Sequence, residues 1–341
     1  MAQLVVVSFR LGVTDGVSIE AAKWIDALRS LGHRVRTIAG GGVADLIMPE
    51  LAIRSVRAPD VEALVGSLAD ADLVIVENMA SLPLNVAARD ALYRALEGRR
   101  AILRHHDLAW QRESSIDNEA PRNGPLWRHV TINELSRREL LARGVKAETI
   151  RNSFDCSPPR GRRARARLAL GVADQRLLLF PTRAIPRKNI EGALRLAASL
   201  GATLWLLGPP EDGYEATLRQ LIADSPARII SRLPEGLDID DAYAACDLVV
   251  MPSTWEGFGN PVLESVTHRR PLAVYPYPVL EEISAFGFRF FGLDDVGSIA
   301  KFLDEPDEDL LEHNAAVARE HFNVADLPAR LAALLETLDV N

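Results

Sequence analysis

Two glutamates eight positions apart, Glu256 and Glu264, flank a Gly257-Phe258-Gly259-Asn260 turn that follows an apolar run and leads into a helix-like segment. A carboxylate accepts several hydrogen bonds at once and so matches the paired hydroxyls of a sugar, while backbone N–H groups exposed at a helix start take hydroxyl or phosphate oxygens. Arg183 and Lys188 follow another apolar run. Cations held in a water-poor site stabilise charge that grows in a transition state more than charge already present in the ground state. A third run closes with Arg104-His105-His106-Asp107. Neighbouring side chains of a strand point to opposite faces, so His105 and His106 cannot both enter one site while the strand lasts; His106 is favoured, with Asp107 beside it. Three consecutive residues rarely converge on one ion, and no further Cys or His group completes a shell, so no metal is expected.

These groups need elements to hold them. Short apolar runs alternate with amphipathic stretches of about 10 to 15 residues, the pattern of parallel strands joined by helices. In the first half the strands are expected at Leu4 to Phe9, Val35 to Ala39, Leu73 to Glu77, Ala101 to His105, Val130 to Ile132 and Glu148 to Ile150. Helices are expected at Ser18 to Leu31 and Glu134 to Arg143. The stretch Asn152 to Gly161 gathers Asn, Ser, Asp, Pro and Gly and reads as a linker. A second series follows, with strands at Leu177 to Pro181, Leu204 to Leu207, Arg228 to Ile230, Leu248 to Met251, Leu272 to Tyr275 and Phe288 to Phe291, and helices at Ile190 to Leu200 and Pro261 to His268. The reading is α/β with two doubly wound lobes: residues 1–155, residues 156–320, and a last helix in 321–341 packing back towards the first lobe. Ligands of such sheets sit beyond the carboxyl ends of the strands, where all three groups fall. The arginine-rich Arg160 to Arg167 is expected to be a solvated helix face, with Ala164, Leu168 and Leu170 turned inward.

The string Pro252-Ser253-Thr254-Trp255-Glu256-Gly257-Phe258-Gly259-Asn260-Pro261-Val262-Leu263-Glu264 resembles the Glu-x7-Glu element of the family 4 retaining glycosyltransferases of GT-B fold, also described as glycosyl transferases group 1. Pro181-Thr182-Arg183-Ala184-Ile185-Pro186-Arg187-Lys188 resembles that family's Gly-Arg-x4-Lys loop, with Thr182 in place of the glycine. The resemblance implies two Rossmann-like domains facing across a cleft and transfer of a hexose from a nucleoside diphosphate sugar without a metal or other cofactor. It implies Arg183 and Lys188 on the diphosphate, Glu256 with the backbone of Phe258, Gly259 and Asn260 on the sugar, Glu264 on the ribose, and His106 between sugar and acceptor. The loop Arg10 to Ser18 resembles the family's Gly-rich loop, which implies Gly16 near the diphosphate. Asp15 and Asp107 stand on the acceptor side, Asp15 being equally suited to capping a helix. Arg187 is read chiefly as a solvated loop residue. Tyr214, Trp255 and Tyr277 are read as packing residues, and Asn152 as holding the turn into the linker.

Composition bounds the partners. A net charge of -8 over 341 residues argues against nucleic acid and against wholesale attachment to anionic lipid. The two cysteines, Cys156 and Cys246, do not suggest a disulfide framework. No apolar run approaches the roughly 18 residues of a membrane span and no leader opens the sequence, so a cytoplasmic protein is expected. The expected partners are a nucleotide-sugar donor, glucose or mannose on uridine or guanosine diphosphate, and a small hydrophilic or glycan acceptor; oligomeric state is open. The rival readings are a nucleotide-sugar epimerase of the same fold and a non-catalytic two-lobed sugar-binding protein.

Overall fold

The computed structural model describes residues 1–111, 119–211 and 213–340. The chain divides into two compact units, residues 1–153 together with 324–341, and residues 154–323.

The first unit is built on β1 (Gln3–Ser8), β2 (Arg34–Ala39), β3 (Leu46–Ile47), β4 (Leu73–Glu77), β5 (Ala101–His105), β6 (Trp127–Thr131) and β7 (Ala147–Thr149), ordered β3-β2-β1-β4-β5-β6-β7. Every pairing is parallel, so both faces must be covered. Alternate residues divide the core. Leu4, Val6, Ile75 and Ile102 pack with Trp24 and Leu28 of helix Gly16–Ser30 and with Leu331 and Leu334 of helix Leu327–Glu336, while Val5, Val7, Val74, Val76 and Leu103 pack on the other face with Leu64 and Leu92. The final helix thus completes this unit's core. β3 was not foreseen; both of its residues are exposed, so no burial pattern marks it.

The second unit carries β8 (Leu177–Phe180), β9 (Thr203–Leu206), β10 (Ile229–Ile230), β11 (Leu248–Met251), β12 (Leu272–Val274) and β13 (Phe291–Gly292), ordered β10-β9-β8-β11-β12-β13 and all parallel. In both sheets the first strand has its second on one side and a later one on the other, which opens a crevice at their carboxyl ends. The strand expected at Phe288 to Phe291 begins only at Phe291, because Phe288 is drawn into an aromatic cluster with Phe290 and Phe322.

The reading of the arginine-rich helix is corrected. In Arg163–Leu170 the inward side is Ala166, Arg167 and Leu170, and Leu168 is exposed. Arg163 and Arg167 donate to the carbonyls of Ala244, Ala245 and Cys246, at 2.8 to 2.9 Å, and pair with Asp247. Arg162 pairs with Asp241. The guanidinium groups of Arg163 and Arg167 cap the end of helix Ile239–Ala245, where cations satisfy the last carbonyls.

Candidate active site

In the second unit the loops after β8 and β11 are tied together. After β8 the chain makes a 3-10 turn at Pro186–Lys188, and Asn189, at φ 48°, starts helix Ile190–Ser199 by accepting from Gly192 N at 3.2 Å. Asn189 Nδ2 donates to Pro252 O at 3.2 Å, and Thr254 N donates to Arg187 O at 2.9 Å. This zip presents Arg187 and Lys188 together to the next loop. Lys188 Nζ pairs with Glu256 Oε1, and Arg187 Nη1 pairs with Glu256 Oε2 at 2.9 Å while donating to Trp255 O at 2.7 Å. Lys188 and Glu256 are buried. Burial alone would push the Glu256 carboxyl up, but Lys188 and Arg187 outweigh it and hold it below its usual range. Burial likewise lowers the Lys188 ammonium, against the pull of Glu256.

The two expected cations have different partners. Lys188 meets Glu256, but Arg183 pairs with Glu211 at 2.6 Å, both side chains more than a third exposed. Arg187, read as a solvated loop residue, holds the second oxygen of Glu256, because consecutive residues of one tight turn lead into the same carboxylate. Arg183 remains close enough for its charge to bear on Lys188.

Gly259 precedes helix Asn260–Thr267 at φ 89°, and a Cβ there would lie 2.3 Å from the Tyr277 hydroxyl. That hydroxyl donates to Phe258 O at 2.9 Å, so Tyr277 buttresses the turn from beneath. The ring of Phe258 is buried against Phe154 and Phe322, which leaves its backbone as the part available to a ligand. One turn into the helix, Glu264 Oε2 accepts from the Tyr243 hydroxyl at 2.7 Å. Tyr243 stacks on His268, whose ring nitrogens meet Glu264 O at 2.7 Å and Asp240 Oδ1 at 2.9 Å.

In the first unit the adjacent ends of β4 and β5 hold a buried charge network. Glu77 and Arg104 are register partners with no exposed surface, and Arg104 Nη1 donates to Glu77 Oε1 at 3.2 Å. The guanidinium also lies 3.6 Å from Glu20, 3.4 Å from Asn152 Oδ1 and 4.3 Å from the centre of the Trp24 ring. His106 follows, its Nε2 2.7 Å from Glu77 Oε2. Asn78, at φ 62°, accepts at Oδ1 from the backbone N–H of His106 and of Asp107, which bends the chain out of the strand. His105 turns the other way: its Nε2 lies 2.9 Å from His129 Nδ1, the rings stacked and buried. The alternation of strand faces therefore separates the two histidines. Asp107 is half-buried at the same strand end.

Asp15 is a cap. Its Oδ1 accepts from Val17 N and Ser18 N at 3.1 and 3.3 Å, and its Oδ2 pairs with Arg10 at 3.0 Å. Gly16 is the first residue of the helix so capped, and nothing lies within 4 Å of where its Cβ would be. Sequence reasoning missed Glu77, Arg104, Glu20 and Tyr243, and weighed Arg187 chiefly as a solvated loop residue. A charged residue ending an otherwise apolar, doubly covered strand was the available signal for Glu77 and Arg104, since such residues are almost never buried unpaired. Among the described residues no group of three His, Cys, Asp or Glu is placed to hold a metal ion, and no helix is long and apolar enough to cross a membrane.

Residues 165–301 match the family described as glycosyl transferases group 1. The chain is similar to mannosylglucosylglycerate synthase of Thermotoga maritima, 25% identical over 95% of this chain and 97% of that protein. It is similar also to the protein of that name from Petrotoga mobilis, 26% identical over 87% of each. Among solved structures, Anabaena HepE in complex with UDP and glucose superposes with a TM-score of 0.78 at 16% identity, covering 99% of this chain and 100% of that one. Sucrose-phosphate synthase from Thermosynechococcus elongatus gives 0.74 at 15% identity, covering 99% of each chain. The chain thus has the GT-B glycosyltransferase fold of two parallel-sheet domains and carries a glycosyl transferases group 1 region across residues 165–301.

Proposed function

We propose that this chain is a retaining, metal-independent hexosyltransferase that moves glucose or mannose from a nucleoside diphosphate sugar to a hydroxyl of a small hydrophilic acceptor. The observation that carries the reading is the buried Lys188–Glu256 pair, with Arg187 on the same carboxylate, at the carboxyl ends of β8 and β11. The relatives' name, which describes a product of mannose, glucose and glycerate, supports a hexose donor and a small acceptor.

The chemistry follows from which cations are committed. Lys188 is held in place before donor arrives, so its charge meets the departing diphosphate without reorganisation. Arg183 is held by an exposed pair worth about 1 kcal/mol or less, which a phosphate can replace at little cost. Glu256 sets the ammonium of Lys188 and offers its oxygens to sugar hydroxyls; Glu264, held through one oxygen by Tyr243, takes the ribose. Gly16 lies at a helix start suited to phosphate, Asp107 and His106 stand towards the acceptor, and attack comes on the face the diphosphate leaves, with no covalent nucleophile.

The test is thermal-shift screening against uridine and guanosine diphosphates and their sugars, because selective stabilisation identifies the donor by mass action. Incubation of that donor with candidate acceptors in chelator follows, the product anomer being read by NMR. A product of inverted configuration, or dependence on added divalent metal, would overturn the corresponding part. Isomerised donor without released diphosphate would favour the epimerase.

A further inference from the structure

The buried network beneath His106 pairs acids with cations. Glu20 and Glu77 supply two negative charges, and Arg104 and Lys23 two positive ones, Lys23 Nζ lying 2.6 Å from Glu20 Oε1. Lys23 also donates to Ser153 O at 2.6 Å, and Arg104 to Asn152 Oδ1, so both cations are pinned at the end of the unit's chain path as well as by the acids. Among these four side chains the charges balance.

We propose that Glu77 is a positioning residue that fixes His106 as a neutral imidazole protonated at Nε2, leaving Nδ1 as a hydrogen-bond acceptor for a hydroxyl of the bound sugar or acceptor. A carboxylate only accepts, so at 2.7 Å the ring nitrogen facing Glu77 must be the one carrying hydrogen. The other nitrogen then has a lone pair, and among the described residues nothing donates to it. The backbone N–H of His106 is committed to Asn78, which fixes the ring's origin as well as its tautomer. A lone pair selects a donating hydroxyl and repels a phosphate oxygen, so His106 acts on the glycosyl or acceptor side and not on the diphosphate. Glu77 itself touches no substrate.

This assignment deepens the proposed transferase reading, and its first test does not depend on transfer. Long-range 1H–15N correlation of 15N-histidine-labelled protein at neutral pH, with His106 identified by its loss in His106→Asn, is expected to give an Nδ1 shift of the unprotonated type and an Nε2 shift of the protonated type. The reverse tautomer, or the two protonated-type shifts of an imidazolium, would overturn the proposal whether or not any sugar is transferred. In Glu77→Gln, which keeps the shape and a hydrogen-bonding end, the His106 signals are expected to move towards a mixture of tautomers. The turnover number is then expected to fall by about tenfold to a hundredfold, the scale of losing the partner that orients a metal-bound imidazole, with the donor KM within about twofold. Glu77→Gln with its tautomer and turnover both unchanged would also overturn it. If the variant does not fold, the wild-type shifts alone decide.

Discussion

His105 and His129 form a stacked pair in the first unit's core, and their burial makes a quantitative prediction about acid stability. Burial lowers the His129 imidazole from 6.5 to about 4, and lowers His105 well below 6.5 through burial and then through the charges of His129 and His106. The folded values lie under the unfolded ones, so above about pH 6.5 neither ring carries a proton in either state and the pair imposes no penalty. As pH falls below that, the unfolded chain binds protons the folded chain refuses. Each ring then takes away up to about 1.4 kcal/mol per pH unit, and His129 alone about 3 kcal/mol by the time its folded value is reached. His129→Asn keeps an acceptor where Nδ1 stood and removes this titration. The expected result is a variant less stable than the wild type near neutrality, by about 1 to 3 kcal/mol for the lost ring, whose stability then declines less steeply, by about 1.4 kcal/mol per unit, between about pH 6.5 and about pH 4.5. Urea unfolding followed by tryptophan fluorescence and circular dichroism measures both slopes. Carboxylates that titrate below about pH 5 contribute equally to the two proteins and cancel in the difference. Parallel slopes would mean that His129 takes its proton as readily in the folded protein as in the unfolded chain, and would refute the reasoning that burial keeps it neutral.

The other predictions concern the second unit. Lys188→Met is expected to lower kcat/KM by about a hundredfold to a thousandfold, as for loss of a charge-stabilising donor, and to destabilise by about 3 kcal/mol, since Arg187 still partners Glu256; steady-state kinetics and thermal melts check both. Tyr243→Phe removes one donor from Glu264 and is expected to raise the donor KM about tenfold to a hundredfold, equivalent to a single hydrogen bond to a charged group of about 1.5 to 3 kcal/mol, with kcat within about twofold. Gly259→Ala places a methyl 2.3 Å from the Tyr277 hydroxyl at a φ of 89°, so donor-induced stabilisation in a thermal shift is expected to be lost even where the fold survives.

What was legible in the sequence was whatever local pattern controls. Runs such as Leu73–Glu77 and Leu248–Met251 are apolar because helices or loops cover both faces of each sheet, and their ends named the loops that carry the candidate groups. The short edge strand Leu46–Ile47 has no buried side and left no trace. Phe288 looks like a strand residue, but the aromatic cluster around Phe322 claims it. Leu168 looks like a core residue, yet Arg167, bonded to Asp247 and to the carbonyl of Ala245, takes the buried side of the helix with Ala166 and Leu170 instead. Contacts set by long-range register were invisible for a further reason. Glu77 and Arg104 stand 27 positions apart, and only the pairing of β4 with β5 makes them opposite.

The roles of the cations follow from the same distinction between local pattern and tertiary placement. Spacing singles out Arg183 and Lys188 equally, but burial separates them: Lys188 is locked to an acid in the interior, and Arg183 sits in an exposed pair. A buried pair broken by removing one partner costs about 3 to 5 kcal/mol, whereas an exposed pair costs about 1 kcal/mol or less to open. On the proposed reading, Arg183 is therefore the group that changes partner when an anion arrives, and Lys188 the one that supplies a fixed charge. Arg187 is intermediate, since it shares the acid of Lys188 but is itself more than a third exposed. A bound sugar that needs both oxygens of Glu256 must displace a cation from one of them, and Arg187 is the one that water can receive.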